Sequence, residues 1–289
     1  MSKKAIIIGS GISGLSSACF LAKEGWNVTV LEKNKTIGGR ARQFSEQGFV
    51  FDMGPSWYWM PDVFESFYQK FGYTTSDFYE LKRLDPSYRV YWSDQSYSDI
   101  PANMESLEAL FESLEPGSGL KLRSFLADAK YKYDVGMKDL VYKPSLKITE
   151  FIDLRLLKGL FSMDLTNSFS SYIRRYFKHP KLLSLLEFPV LFLGAMPKDT
   201  PALYSLMNYA DMELGTWYPM GGMYKFIEAF EKIARSLGVE IITDAEVKDV
   251  QKENGTVSLV KDIHDRSYAA DVFVSSADYH HTDKTLLNG

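Results

Sequence analysis

Ala5-Ile6-Ile7-Ile8-Gly9-Ser10-Gly11-Ile12-Ser13-Gly14 opens the chain. A helical stretch from about Leu15 to Glu24 follows, then Val28-Thr29-Val30-Leu31 and the acid Glu32. An apolar β-branched run, a glycine-rich turn, a helix and a second apolar run ending in a carboxylate is the order of a βαβ unit that holds an adenine dinucleotide. Gly9 permits the tight turn out of the strand, and Gly11 lets backbone approach a pyrophosphate with no Cβ in the way. Gly14 lets the helix close on the sheet, with Ala18 and Ala22 on the same face one and two turns on. Phosphates then meet backbone N–H groups at a helix N-terminus, where the dipole favours negative charge. Glu32 is placed to accept hydrogen bonds from ribose hydroxyls, and a carboxylate there disfavours a 2′-phosphate.

This first half does not separate NAD from FAD. The separating feature is Gly38-Gly39-Arg40-Ala41-Arg42, six residues after Glu32. A second flexible turn flanked by guanidinium groups suits the pyrophosphate of an extended flavin dinucleotide. FAD is the expected cofactor.

At 289 residues the chain exceeds the size at which one core usually suffices, so two domains are expected. A net charge of −4, with no nucleic-acid motif, argues against nucleic-acid binding. The single cysteine, Cys19, falls inside the first helix, so a reducing compartment is expected and Cys19 reads as a small core residue. The apolar run before Gly9 is too short for a secretory signal, and no run reaches the ~20 apolar residues that span a bilayer. A cytoplasmic location follows. Nineteen Phe, eighteen Tyr and five Trp exceed what a core of this size needs. Such density suits a large apolar ligand, although aromatic-rich cores without one are commoner.

Phe49-Val50-Phe51-Asp52 reads as a strand leading into Met53-Gly54-Pro55-Ser56-Trp57, a turn able to bring main chain against a flat ring. Residues 62–72 read as a helix. Tyr88 to Trp92 and Tyr97 to Ile100 alternate as a hairpin, and helices are expected over 105–135 and, broken by prolines, over 149–210. A helix from about Tyr224 to Leu237 precedes the strand Val239-Glu240-Ile241-Ile242. Ala245–Gln251 pairs with Val257–Lys261 around Asn254-Gly255. Ala270 to Asp278 reads as a buried strand running into a polar turn. The fold class is therefore α/β: a discontinuous Rossmann-like FAD-binding domain with an inserted, mainly helical domain. The boundaries expected are 1–85 and 222–289 for the FAD-binding domain and 86–221 for the insertion, which would bind substrate or membrane.

These segments, together with Glu32-Lys33-Asn34 and Trp217-Tyr218-Pro219-Met220-Gly221-Gly222, resemble the bacterial-type phytoene desaturases. Those are carotenoid desaturases of the FAD-dependent amine-oxidase-like group. The resemblance covers the whole chain. It implies that Gly9, Ser10, Gly11, Ile12, Ser13 and Gly14 form the first pyrophosphate turn and that Glu32, with Lys33 beside it, holds the ribose of AMP. It places Gly39, Arg40 and Arg42 at the second pyrophosphate turn, Gly54, Pro55, Ser56 and Trp57 near the flavin ring, and Val247 on adenine. Members continue well beyond this point to another Gly-Asp motif, so the C-terminal part is expected to be missing at Gly289.

The implied reaction is removal of hydrogen from a C–C bond of a long apolar polyene, hydride leaving to the flavin because the developing cation is allylic. Quinone or oxygen would then accept the electrons. No general base can be named, so the catalytic residues are unknown. Asp153 and Arg155 are charges in an apolar segment, but a solvated helix face is their commoner meaning. No metal is expected, because His179, His264, His280 and His281 show no ligand spacing. A hydrocarbon substrate requires contact with a bilayer. Between 151 and 181 six basic residues face two acids among many aromatics, which suits an interfacial helix and peripheral membrane association as much as a face packed on the other domain. Competing readings are a hydroxycarotenoid desaturase, a ketolase, an isomerase, or a non-catalytic flavin- or lipid-binding protein.

Overall fold

The computed structural model describes residues 2–144, 146–147 and 167–287. The chain divides into two compact units, one of Met1–Tyr58, Val63–Lys82 and Tyr218–Gly289, the other of Trp59–Asp62 and Arg83–Trp217.

In the first unit, β1 (Lys4–Ile8) and β2 (Asn27–Leu31) are the central strands of a four-stranded parallel sheet, with Val272–Ser275 beside β1 and Glu240–Ile242 beside β2. Ala5 and Ile7 of β1, and Val28 and Val30 of β2, are fully buried, which is why those strands read as continuous apolar runs. The helix α1 (Ile12–Lys23) joins β1 to β2 and starts three residues earlier than the sequence suggests, directly after Gly11. Gly14, Leu15, Ala18 and Cys19 form its buried face, packed on the helix Lys225–Ser236. Burial pushes the Cys19 thiol up to about 12, in keeping with an inert core residue.

Two features of this unit differ from expectation. Gln43–Glu46 (β3) is a strand that the sequence did not reveal, paired antiparallel with Phe49–Asp52 (β4) across Gln47 and Gly48, both at positive φ. Such a two-residue turn matches the twist of its strands. Val272–Ser275, expected to be buried, is an edge strand paired only with β1 among the described residues, and Val272 and Ser275 are exposed. A short apolar run cannot by itself distinguish edge from centre. The hairpin around Asn254-Gly255 is present as Val247–Glu253 and Thr256–Asp262, with Asn254 and Gly255 in the left-handed region.

The second unit holds the hairpin Tyr88–Tyr91 with Tyr97–Ile100, then the helices Met104–Leu114 and Ser118–Val135 separated at Pro116-Gly117. Asn103 starts the first of these by accepting the N–H of Ser106 at 2.8 Å. Short helices follow at Phe169–Ile173, Pro180–Glu187 and Leu206–Met212. Phe111, Phe125 and Phe177 meet edge to face at the centre of the core. The basic stretch expected to form an interfacial helix lies outside the described residues up to 166, as do Asp153 and Arg155. In its described part, Phe169, Tyr172, Ile173 and Phe177 are buried core residues, Arg174 pairs with Glu187, and Lys181 pairs with Asp94. The helix face is apolar because it packs inward.

Candidate functional site

The glycine-rich turn leaves the C-terminal end of β1, where a parallel sheet presents its ligand-binding edge. Gly9 donates to Leu31 O at 2.8 Å and sits at φ +98°, a conformation other residues avoid. A Cβ on Gly14 would lie 2.0 Å from Gly9 O, so nothing larger fits. The second turn folds back on the first: Gly38 donates to Ser10 O at 2.9 Å, and a Cβ on Gly39 would stand 3.1 Å from Gly11 Cα. Gly54 packs on that second turn, since a Cβ there would lie 2.2 Å from Arg40 O. Three segments, each with a glycine at the junction, are thus stacked backbone on backbone.

At the end of β2, Glu32 is 3% exposed. It accepts from Ser10 N at 2.9 Å, Ser10 Oγ at 2.5 Å, Asn34 N at 2.9 Å and Asn34 Nδ2 at 2.5 Å. Burial raises the carboxyl, but these four donors outweigh it and hold the group below its usual range. Arg42 Nε donates to Gly39 O at 2.8 Å and braces the second turn.

A cleft of about 1120 Å³ lies between these segments. Of the residues picked out in the sequence, Gly9, Ser10, Gly11, Ile12, Ser13 and Glu32 line it. So do Lys33, Gly39, Arg40, Arg42, Pro55 and Val247. Gly14, Gly54, Ser56 and Trp57 do not; the two glycines act through packing. Asn34 and Gly38, both inside the quoted motifs, also line the cleft, and so do Ala245, Ser276, Asp278 and His281, to which sequence reading assigned no role. The signal for Ser276 and Asp278 was their place just after an apolar strand, where a parallel sheet's ligand edge lies.

Asp52 was also missed. Its carboxylate accepts from Met223 N at 2.7 Å and Tyr224 N at 3.2 Å, at the start of the helix Lys225–Ser236. Gly222, at φ +111°, leaves room for it, since a Cβ there would lie 3.1 Å from Asp52 Oδ2. Two distant motifs, the Asp52–Gly54 segment and the Gly221-Gly222 turn, therefore meet at one carboxylate.

The donor set fits a dinucleotide. No side chain caps α1, so its first N–H groups have no side-chain acceptor, and Gly11 to Ser13 line the cleft together with Arg40 and Arg42 for phosphate and Glu32 for a ribose. Among the described residues no cluster of His, Cys, Asp and Glu could hold a metal ion, and no helix is long and apolar enough to cross a membrane.

Residues 12–287 match the family described as flavin containing amine oxidoreductase. Among curated proteins, the chain is 38% identical to a carotenoid 3,4-desaturase of Haloarcula japonica over 97% of this chain and 57% of that protein. It is 34% identical to a 4,4'-diapolycopene oxygenase of a Methylomonas species, over 95% of this chain and 55% of the other. It is 29% identical to a zeta-carotene-forming phytoene desaturase of Myxococcus xanthus, over 99% and 55%. The chain spans about half the length of the curated relatives it matches. Among solved structures, an oxidoreductase from Methanosarcina mazei superposes with a TM-score of 0.63 at 19% identity, covering 99% of this chain and 61% of that one. A Rab GDI from Plasmodium falciparum reaches 0.60 at 12%, covering 96% and 66%. Fold likeness spanning such different names carries no chemistry by itself. The family match, running through both units and over the glycine-turn cleft, does: the chain belongs to the flavin containing amine oxidoreductase family.

Proposed function

We propose that the protein of which this chain forms part desaturates phytoene or a related C40 carotenoid, with FAD held in the cleft of the first unit. The observation that carries the flavin half of this reading is the direct apposition of Gly11 and Gly39, which leaves two glycine turns and two arginines around one cleft. The substrate class rests on the names of the curated relatives. When bound, the flavin would supply the hydride acceptor for dehydrogenation of a C–C bond. The chain's own residues do the holding. Gly11 to Ser13 offer backbone donors to one phosphate, Arg40 and Arg42 neutralise the pair, and Glu32, its carboxyl held below its usual range, orients the ribose. Pro55, carried on the Gly54 junction, sets the wall next to the second turn. Electrons would pass on to quinone or oxygen, and a hydrocarbon substrate implies peripheral contact with a membrane surface.

The 34% identity to an oxygenase favours a second reading, terminal oxidation of a finished polyene. Expression of the full-length gene in cells that accumulate phytoene separates the two. Loss of phytoene with longer-wavelength absorbing products supports desaturation. Untouched phytoene, with a supplied conjugated polyene gaining oxygen, supports the second reading. A protein that carries flavin and changes neither substrate overturns both.

A further inference from the structure

We infer that Ser276 is a positioning residue for the phosphates of the dinucleotide, acting by fixing the plane of the Gly9–Ser10 peptide. This rests on the flavin reading above and adds a residue to it. Ser276 follows the edge strand Val272–Ser275, and its N–H closes the ladder onto Ile8 O at 2.9 Å. Its hydroxyl then turns toward the glycine turn, 3.0 Å from Gly9 O and 3.1 Å from Ile8 O. At the other end of the same peptide, Ser10 N donates to Glu32 Oε2 at 2.9 Å. A peptide group is planar, so holding its oxygen and its N–H from two different strands leaves it one orientation. The N–H groups that follow, from Gly11 on, inherit that direction.

The glycines make room for this hydroxyl. A Cβ at position 9 would stand 2.9 Å from Ser276 Oγ, and one at position 14 would stand 2.7 Å from it. The space vacated at Gly9 and Gly14 is thus shared between close packing of α1 and a donor from a residue 267 positions away from Gly9.

The test uses full-length protein stripped of flavin and titrated calorimetrically with ADP and with adenosine. ADP reads the phosphate turn, whereas adenosine reads only the ribose and base. Ser276→Ala should weaken ADP by about tenfold, the loss of one hydrogen bond to a partly buried carbonyl, and leave adenosine unchanged. Ser276→Cys, nearly the same size but a weak donor, should move in the same direction and serves if the alanine variant does not fold. ADP affinity within twofold of wild type in either variant overturns the inference. So does a parallel loss of ADP and adenosine, which would mean general loosening. If the wild-type protein binds neither ADP nor FAD, the flavin reading itself fails, a different result.

Discussion

Glu32 and Asp211, a buried carboxylate from each unit of the molecule, are driven in opposite directions. Glu32, in the first unit, is 3% exposed and Asp211, in the second, is 2% exposed. Burial raises both. At Glu32 two backbone N–H groups, a hydroxyl and an amide overcome it and hold the group below its usual range. At Asp211 burial wins: Tyr88 donates at 2.6 Å and Thr216 at only 3.4 Å, and the carboxyl is pushed up to about 7. Depth is therefore no guide to charge; donor number is. The first unit spends backbone donors on keeping an anion next to a cleft, and the second hides a carboxyl behind the hydroxyls of Tyr88 and Thr216, the latter also accepting from Trp59 Nε1 at 2.8 Å.

The most disruptive test of this contrast is Gly14→Ala. The new methyl would meet Gly9 O at 2.0 Å, a backbone atom with nowhere to go. A cost of about 3 kcal/mol or more is expected, read as a lost urea midpoint and loss of bound flavin. An alanine variant with wild-type flavin content would show that the turn is softer than its geometry suggests. Glu32→Gln comes next. Its amide would point a donor at donors, costing about 2 kcal/mol at neutral pH. A carboxyl lowered in the folded state contributes stability above its unfolded pKa and loses it as pH falls through the folded one, so this variant should also flatten the acid limb of stability against pH. Asp211→Asn should do the reverse and least. A carboxyl raised from 3.8 to about 7 binds its proton more tightly when folded, so native stability falls as pH rises through that window. Removing the charge should gain about 1 kcal/mol at pH 8 and erase that slope in urea titrations. Equal slopes for Glu32→Gln and Asp211→Asn would end the comparison.

How much of this was legible depended on sequence distance. Gly9, Gly11, Gly14 and Glu32 belong to one βαβ unit and Gly39 follows shortly after it, so local spacing governs how these residues are placed. Asp52 reaches Met223 across 171 positions and Ser276 reaches Gly9 across 267, and no local periodicity encodes such meetings. The aromatic excess hinted at a ligand, yet Phe111, Phe125 and Phe177 are spent on the helical core, and Tyr58, Tyr68 and Tyr79 on one another through their hydroxyls. Composition cannot distinguish a ring that lines a passage from one that fills a core. In the described part of the basic aromatic stretch before Lys181, Phe169 and Phe177 are likewise buried in the core beside exposed cations.

The meeting of Gly11 and Gly39 is lopsided, and that has a consequence for descent. A side chain at 39 would strike the opposite backbone at 3.1 Å from a left-handed position, whereas one at 11 would come no nearer than 4.0 Å to any neighbour. On the proposed function, a glycine is required at the two sites for separate reasons, architecture at 39 and occupancy at 11. A gene copy released from its chemistry would be free to drift at codon 11 while codon 39 stayed fixed, leaving a well-formed descendant with a blocked cradle.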